Sequence, residues 1–135
     1  MAEDFLIFDA HNDLLHSAIK GSVDILKRNS KGHSDIPRLL EGGVNAQVLA
    51  LFIPTDELPS GPLRYTLHMM DIFFRAMEES NGKVVLARKA SDIKRAKEEG
   101  RLAVILSMEG AEGLEEDFSV LRMLHRLGLR MVGIA

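Results

Sequence analysis

Asp35-Ile36-Pro37-Arg38-Leu39-Leu40-Glu41-Gly42-Gly43-Val44-Asn45-Ala46-Gln47-Val48-Leu49-Ala50-Leu51-Phe52-Ile53-Pro54 compresses a helix, its stop and a buried strand into one short stretch. Asp35 is a capping residue ahead of an early proline, whose fixed φ suits the first helical turn, and Gly42-Gly43 lies just past the end. From Val44 to Ile53 the side chains are apolar almost without interruption, as in a strand covered on both faces, and Pro54 ends the run. Upstream, Phe5-Leu6-Ile7-Phe8-Asp9-Ala10 is a run of the same kind. Strand, helix and strand together make one β-α-β step, whose two strands must be parallel.

The alternation continues downstream. Pro59-Ser60-Gly61-Pro62 marks a loop, after which Leu67, Met70, Phe74 and Met77 recur at helical spacing as far as Glu79, and Asn81-Gly82 stops the helix. Val84 to Ala87 is a short strand-like piece of unassigned place. Ser91 is the expected cap of a charged helix over Asp92 to Glu99, followed by Gly100 and a strongly apolar strand, Leu102 to Met108. A helix over Asp117 to Leu127, with Phe118, Leu121 and Leu124 on one stripe, leads to a last strand over 129–135. Four strands, over about 5–10, 46–53, 102–108 and 129–135, alternating with helices, predict an α/β protein on a parallel sheet. A (β/α)8 barrel needs about 250 residues, so the chain is expected to form a single incomplete domain.

Composition narrows the function. With 46% hydrophobic and 27% charged residues in 135, the chain has globular proportions. A formal net charge of −3 offers no broad basic surface for a phosphate backbone, so nucleic acid is not an expected partner. Without cysteine there is neither a disulfide nor a thiolate zinc site, and any metal must rest on His, Asp and Glu. No apolar run approaches the roughly 20 residues that span a bilayer, and Met1-Ala2-Glu3-Asp4 is acidic where a secretory signal is basic. The expectation is a cytoplasmic chain, ordered from Phe5, with no membrane association.

The residues able to carry chemistry stand where strands end. His11-Asn12-Asp13 follows the first strand; residues two apart in extended backbone point to one side, so His11 and Asp13 can converge on a divalent ion while Asn12 faces away. Glu109 follows the apolar strand 102–108 directly, at the carboxyl end where α/β enzymes build their sites, and Gly110 permits unusual backbone beside it. The plainer readings are a turn-capping Asp beside a solvated His, and an exposed loop acid, as Glu112 is expected to be. His33-Ser34-Asp35 repeats the His-x-Asp spacing after a polar loop, and there Asp35 is better explained as a helix cap. His68 and His125 are expected on helix surfaces, and nothing fixes the direction of His16.

Asp9-Ala10-His11-Asn12-Asp13-Leu14, Asp35-Ile36-Pro37-Arg38-Leu39 with Glu41-Gly42-Gly43-Val44-Asn45-Ala46-Gln47, and Ser107-Met108-Glu109-Gly110-Ala111 occur in an order that resembles the membrane (renal-type) dipeptidase family of zinc metallopeptidases. The resemblance implies the first half of a TIM-type barrel and hydrolysis of dipeptides or similar small amides. It implies that His11 and Asp13 hold one zinc ion and that Glu109 bridges two, with Asp13 and Glu109 carrying the catalytic roles. The family draws two further metal-binding histidines and its substrate-contacting His and Arg from later strands. The chain by itself is therefore expected to bind one ion or none and to be inactive. It is also expected to associate with itself or with a complementary chain. Many members carry Pro and an aromatic after His-Asn-Asp-Leu, where this chain has Leu15 and His16. The alternatives are another metal-dependent amidohydrolase on the same barrel, or a catalytically silent subunit acting by association.

Overall fold

A computed structural model describes residues 5–134. Met1 to Asp4, whose acidity entered the localisation argument, and Ala135, the end of the expected last strand, lie outside the described residues. In chain order the elements are β1 (Phe8–Asp9), α1 (Leu14–Ile19), α2 (Ile36–Glu41), β2 (Ala46–Phe52), α3 (Pro62–Glu79), β3 (Val84–Leu86), α4 (Ala90–Glu98), β4 (Leu102–Glu109), α5 (Phe118–Leu127) and β5 (Leu129–Gly133), with 3-10 turns at Thr55–Ser60 and Glu112–Leu114.

Every strand pairing is parallel. β2 lies between β1 and β4, and the far edge of β4 is shared: β3 takes its beginning, at Leu102 to Val104, and β5 its end, from Leu106 to Glu109. The two apolar runs that predict buried strands, β2 and β4, occupy the middle of the sheet, and Ala46 to Leu51 and Leu102 to Leu106 are buried without a gap. Leu49, Leu51, Val104, Leu106 and Met108 pack with α1, α2, α3 and α5 in the main core. A smaller cluster of Ala46, Val48, Ala103 and Ile105 takes Ala96 and Ile93 of α4.

Five expectations need correction. The first strand is short and uncovered. Phe5, Leu6, Ile7 and Phe8 are 72, 43, 45 and 46% exposed, because β1 has a partner on one edge only. The Asn45 side chain takes the Ile7 N–H (2.8 Å), so ladder pairing begins at Phe8. Val84–Leu86 is a fifth strand, docked on β4. A helix unforeseen in the polar stretch after strand 1, α1, forms where Leu14 and Leu15 enter the core and Ala18 and Ile19 pack against it, a helical spacing visible in the sequence. The charged helix begins at Ala90, before Ser91. Asp92 reaches back to accept the N–H groups of Arg88 (2.9 Å) and Lys89 (3.1 Å), which fixes the start of the helix ahead of Ser91. Finally, two helical stripes are rotated. In α3 the buried side chains are Tyr65, Thr66, Met69, Met70, Phe73 and Ala76, with Leu67 outside, and in α5 Phe118 is 77% exposed while Leu124 is buried.

Candidate metal centre

The segment after β1 is held by its own side chains. The His11 N–H donates to Asp9 Oδ1 (3.1 Å), a local Asx bond that turns the chain out of the strand. The Asn12 carbonyl accepts the Ala50 N–H of β2 (3.0 Å), which continues the sheet pairing past the end of β1. Asp13 then caps α1 through its backbone: its carbonyl accepts the Ser17 N–H (3.1 Å), and its carboxylate makes no capping bond. Asp35 and Asp117, at the same position on α2 and α5, spend their carboxylates on helix N–H groups. The carboxylate of Asp13 is left free, with Oδ1 3.5 Å from His11 Nε2.

Glu109 closes the group. It is the last residue of β4, in register with Phe52 at the end of β2, and its Oε2 lies 3.4 Å from His11 Nε2. One ligand atom from each of His11, Asp13 and Glu109 falls within 4.8 Å of the others, and all three residues are exposed. Contacts of 3.4 and 3.5 Å are longer than charge-assisted hydrogen bonds, which close to about 2.7–2.9 Å. They match the separation of ligands about 2.0–2.2 Å from one tetrahedral zinc ion, which lie about 3.3–3.6 Å apart. One imidazole and two carboxylates, open to solvent and negative when the imidazole is neutral, are a donor set that fits a divalent cation.

The other candidates fall elsewhere. Asp35 is wholly buried and accepts from Arg38 N (2.9 Å), Arg38 Nε (2.8 Å) and Asn29 N (2.9 Å), so its carboxylate is committed to the head of α2, away from the exposed ligand group. Burial pushes its carboxyl up, but these donors outweigh burial and hold it below the ordinary carboxylate range. His33 is exposed on a cavity of about 510 Å³ that also touches His11, Asp13 and Ser17. His16 sits edge-on to Phe52, ring centroids 5.6 Å apart, and its Nδ1 is buried with no hydrogen-bond partner among the described residues. His68 and His125 are exposed on helices, and Glu112 is exposed on a 3-10 turn. Gly110 has φ +84°, the left-handed backbone its place beside Glu109 suggested. Sequence reasoning missed the parts played by Asp9, Asn12 and Ser34. The Asx pattern of Asp9 and Asn12, each two residues before the N–H it accepts, was the available signal.

Parallel strands whose carboxyl ends gather a His, an Asp and a Glu define an α/β protein with a ligand group that could hold a divalent cation. The profile of the membrane dipeptidase family (peptidase family M19) matches residues 1–135, and the chain belongs to that family. It is 30% identical to dipeptidase tcpJ of Claviceps purpurea (strain 20.1), over 94% of this chain and 33% of that protein. It is 28% identical to dipeptidase 3 of Mus musculus, over 96% of this chain and 27% of that one. Among solved structures it resembles dipeptidase AC, a metallopeptidase of family M19, with TM-score 0.88 and 26% identity over 97% of this chain and 43% of that one. A metallopeptidase of Rhodobacter sphaeroides, solved with a phosphinate mimic of the dipeptide L-Ala-D-Ala, shares the fold at TM-score 0.85 and 24% identity, over 97% of this chain and 45% of that one. These neighbours are of the TIM-barrel type, and the chain corresponds to their N-terminal part. It spans about a third of the length of the curated relatives it matches.

Proposed function

We propose that the chain supplies the first part of a zinc-dependent dipeptidase site, in which His11 and Asp13 hold one ion and Glu109 holds it jointly with a second. The observation that carries this reading is the convergence of the three donor atoms within 4.8 Å at the carboxyl ends of parallel strands, in a member of the membrane dipeptidase family. A bound divalent cation supplies Lewis-acid polarisation of an amide carbonyl and activation of water near neutral pH.

The residues around it orient and hold. Asp13 keeps its carboxylate off the α1 cap and toward the ligand group. Glu109 approaches His11 with its carboxylate and would hold a cation there, and a group with two oxygens would suit a place between two cations. The substrate is a dipeptide or a similar small amide, and the protein acts in the cytoplasm.

The test uses Zn²⁺ and the 135-residue chain. Calorimetric titration of the parent, His11→Ala, Asp13→Ala and Glu109→Ala is expected to give binding in the parent and its loss in each variant. Mixing the zinc-loaded chain with a separately expressed C-terminal portion of a family dipeptidase is expected to yield dipeptide hydrolysis that Asp13→Ala abolishes. Zinc binding that survives all three substitutions overturns the reading.

A further inference from the structure

Between the two ligands donated by the first loop stands a side chain that touches neither. Asn12 Oδ1 accepts the Leu14 N–H (3.0 Å) and the Ser34 hydroxyl (3.1 Å). The Leu14 N–H can only donate, so it fixes the oxygen end of the amide toward itself, and the Ser34 hydroxyl at the same oxygen must donate as well. The Asn12 carbonyl meanwhile takes the Ala50 N–H of β2 (3.0 Å). One residue thereby ties the His11-Asn12-Asp13 turn to three places: the start of α1, strand β2 and the segment before α2.

Ser34 can serve as an anchor because its neighbour is buried and hydrogen-bonded. Asp35 is fully buried and bound by Asn29 and Arg38 at the head of α2, so the half-buried Ser34 is joined directly to a fixed point of the fold. His11 and Asp13 are themselves exposed, and beyond their contacts with each other and with Glu109 it is the bonds of their own turn that hold them. Ligands on an exposed loop bind a metal tightly only when other groups hold them in place.

We propose that Asn12 and Ser34 are positioning residues, a hydrogen-bonded link through which the buried head of α2 holds His11 and Asp13 in ligating geometry. The proposal rests on the zinc-site reading above. The second His-x-Asp segment then supports the first, with Asp35 as the anchor, Ser34 reaching across, and His11 and Asp13 free to bind.

Competition between the chain and a chromophoric chelator for Zn²⁺ tests it, with thermal unfolding of the metal-free variants followed in parallel. Asn12→Ala is expected to weaken zinc binding about 10-fold or more, in the range typical of outer-shell partners, and Ser34→Ala by a smaller but measurable factor. Ser34→Thr keeps the hydroxyl and restores the affinity. Ser80→Ala removes a hydroxyl bonded to Met77 O and Val84 N, away from the site. It lowers the melting temperature and leaves zinc affinity unchanged.

If Asn12→Ala does not fold, the Ser34→Ala and Ser34→Thr pair decides alone. Parent-like zinc affinity in folded Ser34→Ala, or a loss that threonine does not restore, overturns the link while His11→Ala still abolishes binding. Parent-like affinity in His11→Ala overturns the zinc site and the link together.

Discussion

Replacing Asp35 by alanine should act first on stability and reach zinc binding only secondarily, through the Ser34 link, whereas replacing Asp13 should remove zinc binding with little effect on stability. Asp35 is 0% exposed and its two oxygens accept three bonds of 2.8–2.9 Å, from Arg38 N, Arg38 Nε and Asn29 N. The lost cap alone costs about 1 kcal/mol, and stranding the partners of a buried charge costs about 3–5 kcal/mol in all. Arg38 keeps some contact with water, which favours the lower end. Even about 3 kcal/mol is a large share of the 5–15 kcal/mol that holds a typical domain folded.

The effect should depend on pH with a definite sign. The folded carboxyl titrates below its unfolded value of about 3.9, so its contribution is complete above that pH and fades as pH falls through the folded value. Urea unfolding of the parent and Asp35→Asn at a series of pH values should show their gap narrowing below about pH 4. Asp13 makes no side-chain cap bond, and its replacement should leave the urea midpoint nearly unchanged while removing zinc binding. A parent-like midpoint for Asp35→Ala, or a stability loss with retained zinc in Asp13→Ala, would refute the division of labour between the two segments.

Phe73, fully buried among the α3 and sheet side chains, should cost about 3–5 kcal/mol when cut to alanine, measured by urea unfolding. A change under about 1 kcal/mol would mean that α3 is not packed as described. The chain without any partner should hydrolyse dipeptides weakly or not at all in the presence of Zn²⁺, since three protein donors make an incomplete two-metal site, and robust turnover would show that other side chains complete it. Light scattering at micromolar concentration should give a mass above the 15.0 kDa monomer, because β1 presents an open edge with Phe5 to Phe8 exposed beside it. A cooperatively folded monomer would show that this edge is managed internally.

What was legible in the sequence was what burial forces on it. β2 and β4 had to be apolar at nearly every position because both faces are covered, and that continuity gave both the fold class and the place of Glu109. The same rule failed at Phe5 to Phe8, where a run of equal hydrophobicity is half-exposed, because composition reports how apolar a segment is and not which neighbour covers it. The rotated stripes of α3 and α5 failed for a related reason. Phe73 and Phe74 are an adjacent apolar pair, and only the docked angle of the helix decides that Phe73 is the member fully turned inward. Asp35 was legible as a cap but not as a buried anchor, since its bonds to Asn29 depend on how a loop folds back.

The register of the sheet explains how three residues so distant in sequence meet. Phe8 is level with Ala46 and Ala46 with Ala103, so His11 and Asn12 run alongside β2 above the end of β1, and the Ala50 N–H to Asn12 bond marks that level. Glu109 stands two residues higher than Ser107, the partner of Ala50. Between β1 and β4 lie two strand spacings, about 9–10 Å, a gap that a His and a Glu side chain extended toward each other can close while two short side chains could not. Beneath the rim, β2 and β4 pair Ala50 with Ser107, among the smallest residues in either strand. Reach at the rim and small residues beneath it are both properties of the register. A one-residue slip of β4 would send the Glu109 side chain to the face that packs against α1, α2, α3 and α5 and dismantle the centre, although the hydrophobic content of every strand would be unchanged.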